Sequence, residues 1–241
     1  MAAARPVAAV AHRGDPHRFR ENTLPSVAAA LRGGADTVEV DVQVTRDGLP
    51  VLLHDPTLER LWEVPKEVAA LSAAEVAERT GGGVPPLADA LAALLDTPGQ
   101  ARLLLDLTDP DQAGPALDAV VRAGAGRRVY WCGGLAAMRE VRALDSAAEI
   151  AMTWKTSALP AQELLDALAP RWLNLRFPLA GPETVAWAHE RGLLAAAWTA
   201  DWERSMGRLV DAGVDAITTN RLDALRRVLR RRGVPRPSGV S

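Results

Sequence analysis

The stretch VEVDVQVTRDGLPVLLHD, Val38–Asp55, decides how the rest of the 241-residue chain is read. Val38, Val40, Val42 and Val44 alternate with Glu39, Asp41 and Gln43, the period-two pattern of a strand with one apolar face. The other face ought to carry solvated polar groups, yet it opens on two carboxylates at i and i+2. Side chains so spaced project to the same side, so Glu39 and Asp41 repel unless one is protonated or a cation lies between them. Asp47-Gly48 is a two-residue hairpin signal, and folding back about it sets His54 roughly opposite Asp41. A parallel crossover takes a dozen or more residues, so the run Leu49–His54 is expected to return as a hairpin arm.

Outward from this hairpin, short apolar runs recur at Val7–His12, Asp36–Asp41, Arg102–Asp106, Arg128–Cys132, Glu149–Thr153, Arg171–Arg176, Leu193–Trp198 and Asp215–Thr219. Amphipathic segments lie between them, at Leu24–Arg32, Leu87–Leu95, Gln112–Ala123, Leu135–Leu144, Ala161–Leu168, Pro182–Arg191, Trp202–Ala212 and Leu222–Arg232. Strands alternating with helices are the mark of parallel βα units. Their number and the chain length predict an α/β protein with a closed (β/α)₈ TIM-type barrel and a short hairpin and loop excursion after the second strand. A doubly wound open sheet is the alternative. Residues 1–232 are expected to form this one domain, with 56–86 an excursion over one rim that includes a helix at Ser72–Arg79. Residues 233–241, rich in Gly, Pro and Ser, read as a disordered tail.

Composition narrows the classes of function. Apolar residues make up 48% of the chain, enough for a sizeable core, and a net charge of −2 gives no reason to expect a nucleic-acid partner. The single cysteine, Cys132, excludes an internal disulfide framework and suits a reducing compartment, so a cytoplasmic location is expected. No apolar run approaches ~18 residues, so stable membrane insertion is not expected, and the start reads as a first strand in preference to a signal peptide. Oligomeric state is not legible.

In a barrel of this kind, residues at the carboxyl ends of strands line the active-site face. His12-Arg13-Gly14 ends the first strand: His12 suits proton transfer, and Arg13 suits two-pronged contact with a phosphate. Glu21-Asn22-Thr23 reads mostly as a helix start, with Thr23 the cap and Pro25 in the first turn. Asp106 closes the run Leu103–Leu105, so Glu39, Asp41 and Asp106 are three carboxylates at strand ends. Hard divalent cations such as Mg²⁺ or Ca²⁺ take such oxygen ligands, and zinc is disfavoured because the other partners are not thiols. A salt-bridge network to arginine is the competing account of the same acids. Taken together, two imidazoles, a guanidinium and three carboxylates suit cleavage of a small-molecule phosphodiester. His12 and His54 would share the acid and base roles while a metal and Arg13 offset phosphate charge. Trp198, at another strand end, is a candidate to face the site, where its ring face could hold a cation.

The motifs His12-Arg13-Gly14, Glu21-Asn22-Thr23, Glu39-x-Asp41-Val42, Thr45-x-Asp47-Gly48 and His54-Asp55-x-x-Leu58-x-Arg60 occur in this order and spacing. With Ala197-Trp198-Thr199 and Gly213–Thr219 further on, the sequence resembles the glycerophosphodiester phosphodiesterase family. The resemblance implies a barrel and a divalent cation held by Glu39, Asp41 and Asp106. It implies His12 and His54 as the acid–base pair, Arg13 on the phosphate, and hydrolysis of glycerophosphodiesters to glycerol 3-phosphate and an alcohol. Two departures stand out. Asp106-Leu107-Thr108 replaces the family's Glu-x-Lys; Asp occupies this place in the related spider-venom phospholipase D enzymes, and Lys155 is the candidate to restore the lost cation. Leu61-Trp62-Glu63 replaces the usual threonines and glycine, and Trp62 is a candidate to line the alcohol pocket. The alternatives are phospholipase D-like cleavage of lysophospholipids through a cyclic phosphate, and a non-catalytic phosphodiester-binding barrel.

Overall fold

A computed structural model describes residues 5–237. Nine strands form one sheet: β1 Ala8–His12, β2 Thr37–Val44, β3 Pro50–Leu52, β4 Arg102–Leu107, β5 Val129–Gly133, β6 Ile150–Trp154, β7 Trp172–Arg176, β8 Leu194–Trp198 and β9 Ala216–Thr219. Apart from β3, each strand pairs in parallel with its neighbours, and β1 pairs with both β2 and β9, which closes the barrel. The helices are α1 Leu24–Arg32, α2 Glu59–Trp62, α3 Ala73–Thr80, α4 Leu87–Asp96, α5 Ala113–Ala123, α6 Leu135–Leu144, α7 Gln162–Leu168, α8 Pro182–Glu190, α9 Glu203–Ala212 and α10 Leu222–Arg231. The closed barrel replaces the open-sheet alternative. Among the described residues no helix is long and apolar enough to cross a membrane.

Strand alternation sorts the side chains into two cores. Val38, Val40, Val42, Leu103, Leu105 and Ile217 point outward and pack under the helices. Val10, Leu104, Tyr130, Ala151, Trp172 and Ala216 fill the barrel interior. The valine face of the quoted stretch therefore meets the helices, and the carboxylate face meets the barrel axis.

β3 pairs antiparallel with β2, with Val42 opposite Leu52 and Val44 opposite Pro50. The hairpin thus forms about Asp47-Gly48 as expected, but its register sets Leu53, whose N–H donates to the Asp41 carbonyl at 3.1 Å, opposite Asp41. His54 lies one residue beyond. The following segment buries Val51, Leu53, Leu58, Val68 and Val76 in a small core of its own. α3 is held at its start by reciprocal hydrogen bonds of Ser72 and Glu75. At the chain's end, the Val234 N–H donates to the Leu229 carbonyl at 3.0 Å, and residues 238–241 of the expected tail lie outside the described residues.

Candidate active site

The register of three neighbouring strands builds the acidic cluster. β2 lies between β1 and β4, with Glu39 level with His12 on one side and Asp41 level with Asp106 on the other. Oxygens of Glu39, Asp41 and Asp106 all come within 4.8 Å of one another. Ligand oxygens about 2.0–2.6 Å from a hard cation lie at most about 4–5 Å apart, so the spread fits one shared ion. Glu39 and Asp41 are 4% and 6% exposed, so water does little to shield them. Burial, then the charges of Asp41 and Asp106, pushes the Glu39 carboxyl well above its usual range. Burial and Asp41 push Asp106 up to about 6, against the pull of Lys155. A cluster that resists ionisation in this way is one a divalent cation would relieve.

Arg13 takes one edge of the cluster. Its Nε forms an ion pair with Asp41 Oδ2 at 3.0 Å, without hydrogen-bond alignment, and its Nη1 donates to Glu21 Oε1 at 2.8 Å. Two nearby carboxylates thus occupy part of the Arg13 fork. Arg60 Nη2 reaches the same Glu21 oxygen at 2.7 Å, and Asn22 Nδ2 donates to Asp41 Oδ2 at 2.7 Å. Arg13 and Asn22 both adopt the left-handed backbone region, with φ 57°. Such residues persist where surrounding contacts over-determine them. Gly14 lets the loop close: at φ 87°, a Cβ there would lie 2.3 Å from Ser26 Oγ. That oxygen donates to the Arg13 carbonyl and accepts the Asp15 N–H.

The two histidines have different partners. His12 Nδ1 lies 2.8 Å from Asn220 Oδ1. The Asn220 amide is oriented by Asp201, which accepts its Nδ2 and its backbone N–H, each at 2.8 Å. With the amide nitrogen committed to a carboxylate, the amide oxygen faces His12, so His12 carries its proton on Nδ1 and leaves Nε2 with a lone pair. That Nε2 is 3.9 Å from Glu39 Oε2. Burial, then Arg13, lowers the His12 pKa despite Asn220 and Asp41. His54 instead pairs with a carboxylate, Nδ1 to Asp55 Oδ1 at 2.7 Å. Burial would raise the Asp55 pKa, but hydrogen bonds from Arg60 and His54 hold it below its ordinary value.

These groups open into a cavity of about 300 Å³ at the carboxyl ends of the strands. Both histidines, Arg13 and the three carboxylates line it, with Lys155 and Trp198 on the facing wall. The Lys155 ammonium lies 5.7 Å from the centre of the Trp198 ring.

The model of the Glycerophosphoryl diester phosphodiesterase family matches residues 12–224. The chain belongs to that family. A Mycobacterium tuberculosis protein named "Probable glycerophosphodiester phosphodiesterase 2" is 31% identical to this phosphodiesterase, over 93% of this chain and 91% of its own length. The fold matches the crystal structure of a glycerophosphodiester phosphodiesterase from Parabacteroides distasonis, with TM-score 0.82 at 22% identity, covering 96% of this chain and 100% of that one. It also matches an Oleispira antarctica phosphodiesterase in complex with the product sn-glycerol-3-phosphate, with TM-score 0.79 at 23% identity, covering 92% and 96%. The family and the acidic triad together support a divalent metal.

Most of the side chains anticipated for the phosphodiesterase site meet in this cavity. Trp62 does not: it ends α2 on the rim, packs against Gly83 and lies 4.1 Å below the Arg20 guanidinium. A ring that follows Arg60 by two residues is carried to the far side of the short helix. Asn220, Asp201, Glu21 and Asn174 escaped the sequence reading. The family motif containing Glu21 could have revealed that residue, but its helix-start reading hid the carboxylate's contacts. Asn220 and Asp201 carry no local signal, since a polar residue after a strand reads as a turn.

Proposed function

We propose that the phosphodiesterase hydrolyses glycerophosphodiesters to glycerol 3-phosphate and an alcohol, with Glu39, Asp41 and Asp106 holding Mg²⁺ or Ca²⁺. The observation that carries the reading is the meeting of a shared-ion carboxylate triad and two differently partnered histidines in one cavity. When bound, the cation would offset charge on the non-bridging phosphate oxygens. Arg13 brings positive charge to the same side, and Lys155, just past β6, brings it from the opposite wall, whereas Thr108, just past β4, supplies none.

His12 acts as the base. Its Nδ1–H is committed to Asn220, so the free Nε2 takes a proton from the attacking water, whose oxygen forms the new bond to phosphorus as the bond to the leaving alcohol oxygen breaks. His54 acts as the acid: Asp55 holds its ring through Nδ1, which leaves Nε2 to deliver a proton to the leaving alcohol oxygen.

Phosphorus NMR of glycerophosphodiester reactions tests this, with and without chelator, in the wild type and in His12→Ala and His54→Ala. An open phosphate monoester should form only with metal, and each variant should lose roughly 10²–10⁴-fold in kcat. A cyclic phosphate would favour the phospholipase D-like alternative, and wild-type turnover no better than that of the variants would favour the binding barrel.

A further inference from the structure

The outer and inner parts of the cavity differ in chemistry. At the mouth, Lys155 is exposed on the loop that follows β6, and its ammonium stands over the Trp198 ring. Among the described residues that line the cavity, Trp198 is the one Trp, Tyr or Phe. The ring face that could have received a cationic ligand is thus turned toward a cation of the protein itself. A quaternary ammonium placed there would lose the attraction of the ring and meet a like charge.

Deeper in, the side of the wall formed by β6, β7 and β9, away from the carboxylates, is polar and uncharged. Asn174 on β7 is 6% exposed and Thr218 on β9 is 4% exposed, with Thr153 on β6 beside them. Asn174 Oδ1 is buried without a hydrogen-bond partner, and its Nδ2 reaches Thr153 Oγ1 at 3.4 Å. A buried amide oxygen left unpartnered is unfavourable, and a hydroxyl arriving with the substrate would satisfy it. This buried acceptor suits a glycerol hydroxyl, so the variable alcohol extends outward past Trp198 and Lys155.

We infer that this phosphodiesterase selects glycerophosphodiesters whose second alcohol is a neutral or anionic polyol and discriminates against choline- and ethanolamine-bearing ones, with Lys155 as the discriminating residue and Asn174 as the acceptor for glycerol. The inference rests on the hydrolytic reading of the same site.

The test compares kcat/KM for glycerophosphoglycerol, glycerophosphoinositol, glycerophosphoethanolamine and glycerophosphocholine at saturating divalent cation, read as glycerol 3-phosphate release. The wild type should favour the polyol esters over the choline ester roughly tenfold, the scale of one like charge about 6 Å away in a partly solvated site. Lys155→Arg should keep that ratio, Lys155→Met should narrow it and Lys155→Glu should invert it. The choline ester's gain in Lys155→Met should vanish when Trp198→Leu is added, because the freed ring is what receives it. Asn174→Leu should raise KM for all four esters alike, leaving their ratio unchanged. A wild type that prefers the choline ester, or a ratio indifferent to Lys155→Glu, overturns the selection while leaving hydrolysis intact. Failure to release glycerol 3-phosphate from any of the four overturns both readings.

Discussion

Glu39 and Asp41 share the inward face of β2, and Asp106 stands level with Asp41 on the next strand. Burial, then mutual repulsion, raises the proton affinity of Glu39 and Asp106, which sets the sign of a pH effect. A carboxyl whose folded pKa exceeds its unfolded value binds more protons in the folded state. Its stabilising contribution is complete below the unfolded pKa and is lost as pH rises through the folded one. For Asp106 that window runs from the ordinary value of 3.8 to about 6. Melting of the chelator-treated protein across this window should show a falling Tm from these groups, and added Mg²⁺ or Ca²⁺ should raise Tm more at pH 7 than at pH 5. An equal shift at both pH values would mean that the ion binds elsewhere. At this scale the sequence was partly readable. Acidic residues at inward positions of an apolar strand stand out in any listing of the chain. The engagement of Arg13 by Asp41 and of His12 by Asn220, a residue 208 positions away, depends on barrel closure and leaves no local trace.

Turns between elements hold these groups in place. At the end of β5, Gly133 has φ 131°, and a Cβ there would meet the Leu107 carbonyl at 1.8 Å and Asp106 Oδ1 at 2.7 Å. Gly133→Ala should therefore destabilise the fold by at least about 1 kcal/mol. Because the added methyl presses on Asp106, it should also weaken divalent-cation binding. Chemical denaturation and calorimetric cation titration check the two effects; unchanged cation affinity would place Asp106 outside the metal site. The β2–β3 hairpin was legible because Asp47-Gly48 is a strong turn signal and the crossover length was too short for a parallel strand. The four-residue helix α2 was not, because so short a turn has no periodicity to read. The position of Trp62 was lost with it.

Across the whole molecule, stability and chemistry occupy different regions. The outer core beneath the helices is continuous and apolar, whereas the chemistry gathers at the carboxyl ends of the strands, as the barrel geometry requires. Leu105, fully buried in that core on the strand that carries Asp106, separates the two. Leu105→Ala should cost about 2–5 kcal/mol, read as a lower urea midpoint. The protein that remains folded should keep its kcat; a large loss of kcat at full folding would show that the core tunes the site directly. The recurrence of apolar runs made the parallel α/β class visible, since such strands are buried on both faces; closure into a barrel rests on the pairing of β1 with both β2 and β9, which no local pattern carries.

The account stands most directly on one titration: the initial rate of glycerol 3-phosphate release from a glycerophosphodiester as Mg²⁺ or Ca²⁺ is returned to chelator-treated protein. Turnover should be absent without the ion and rise to a plateau, with Asp41→Asn needing far more ion to respond. Undiminished release in excess chelator would contradict the central role given to Glu39, Asp41 and Asp106.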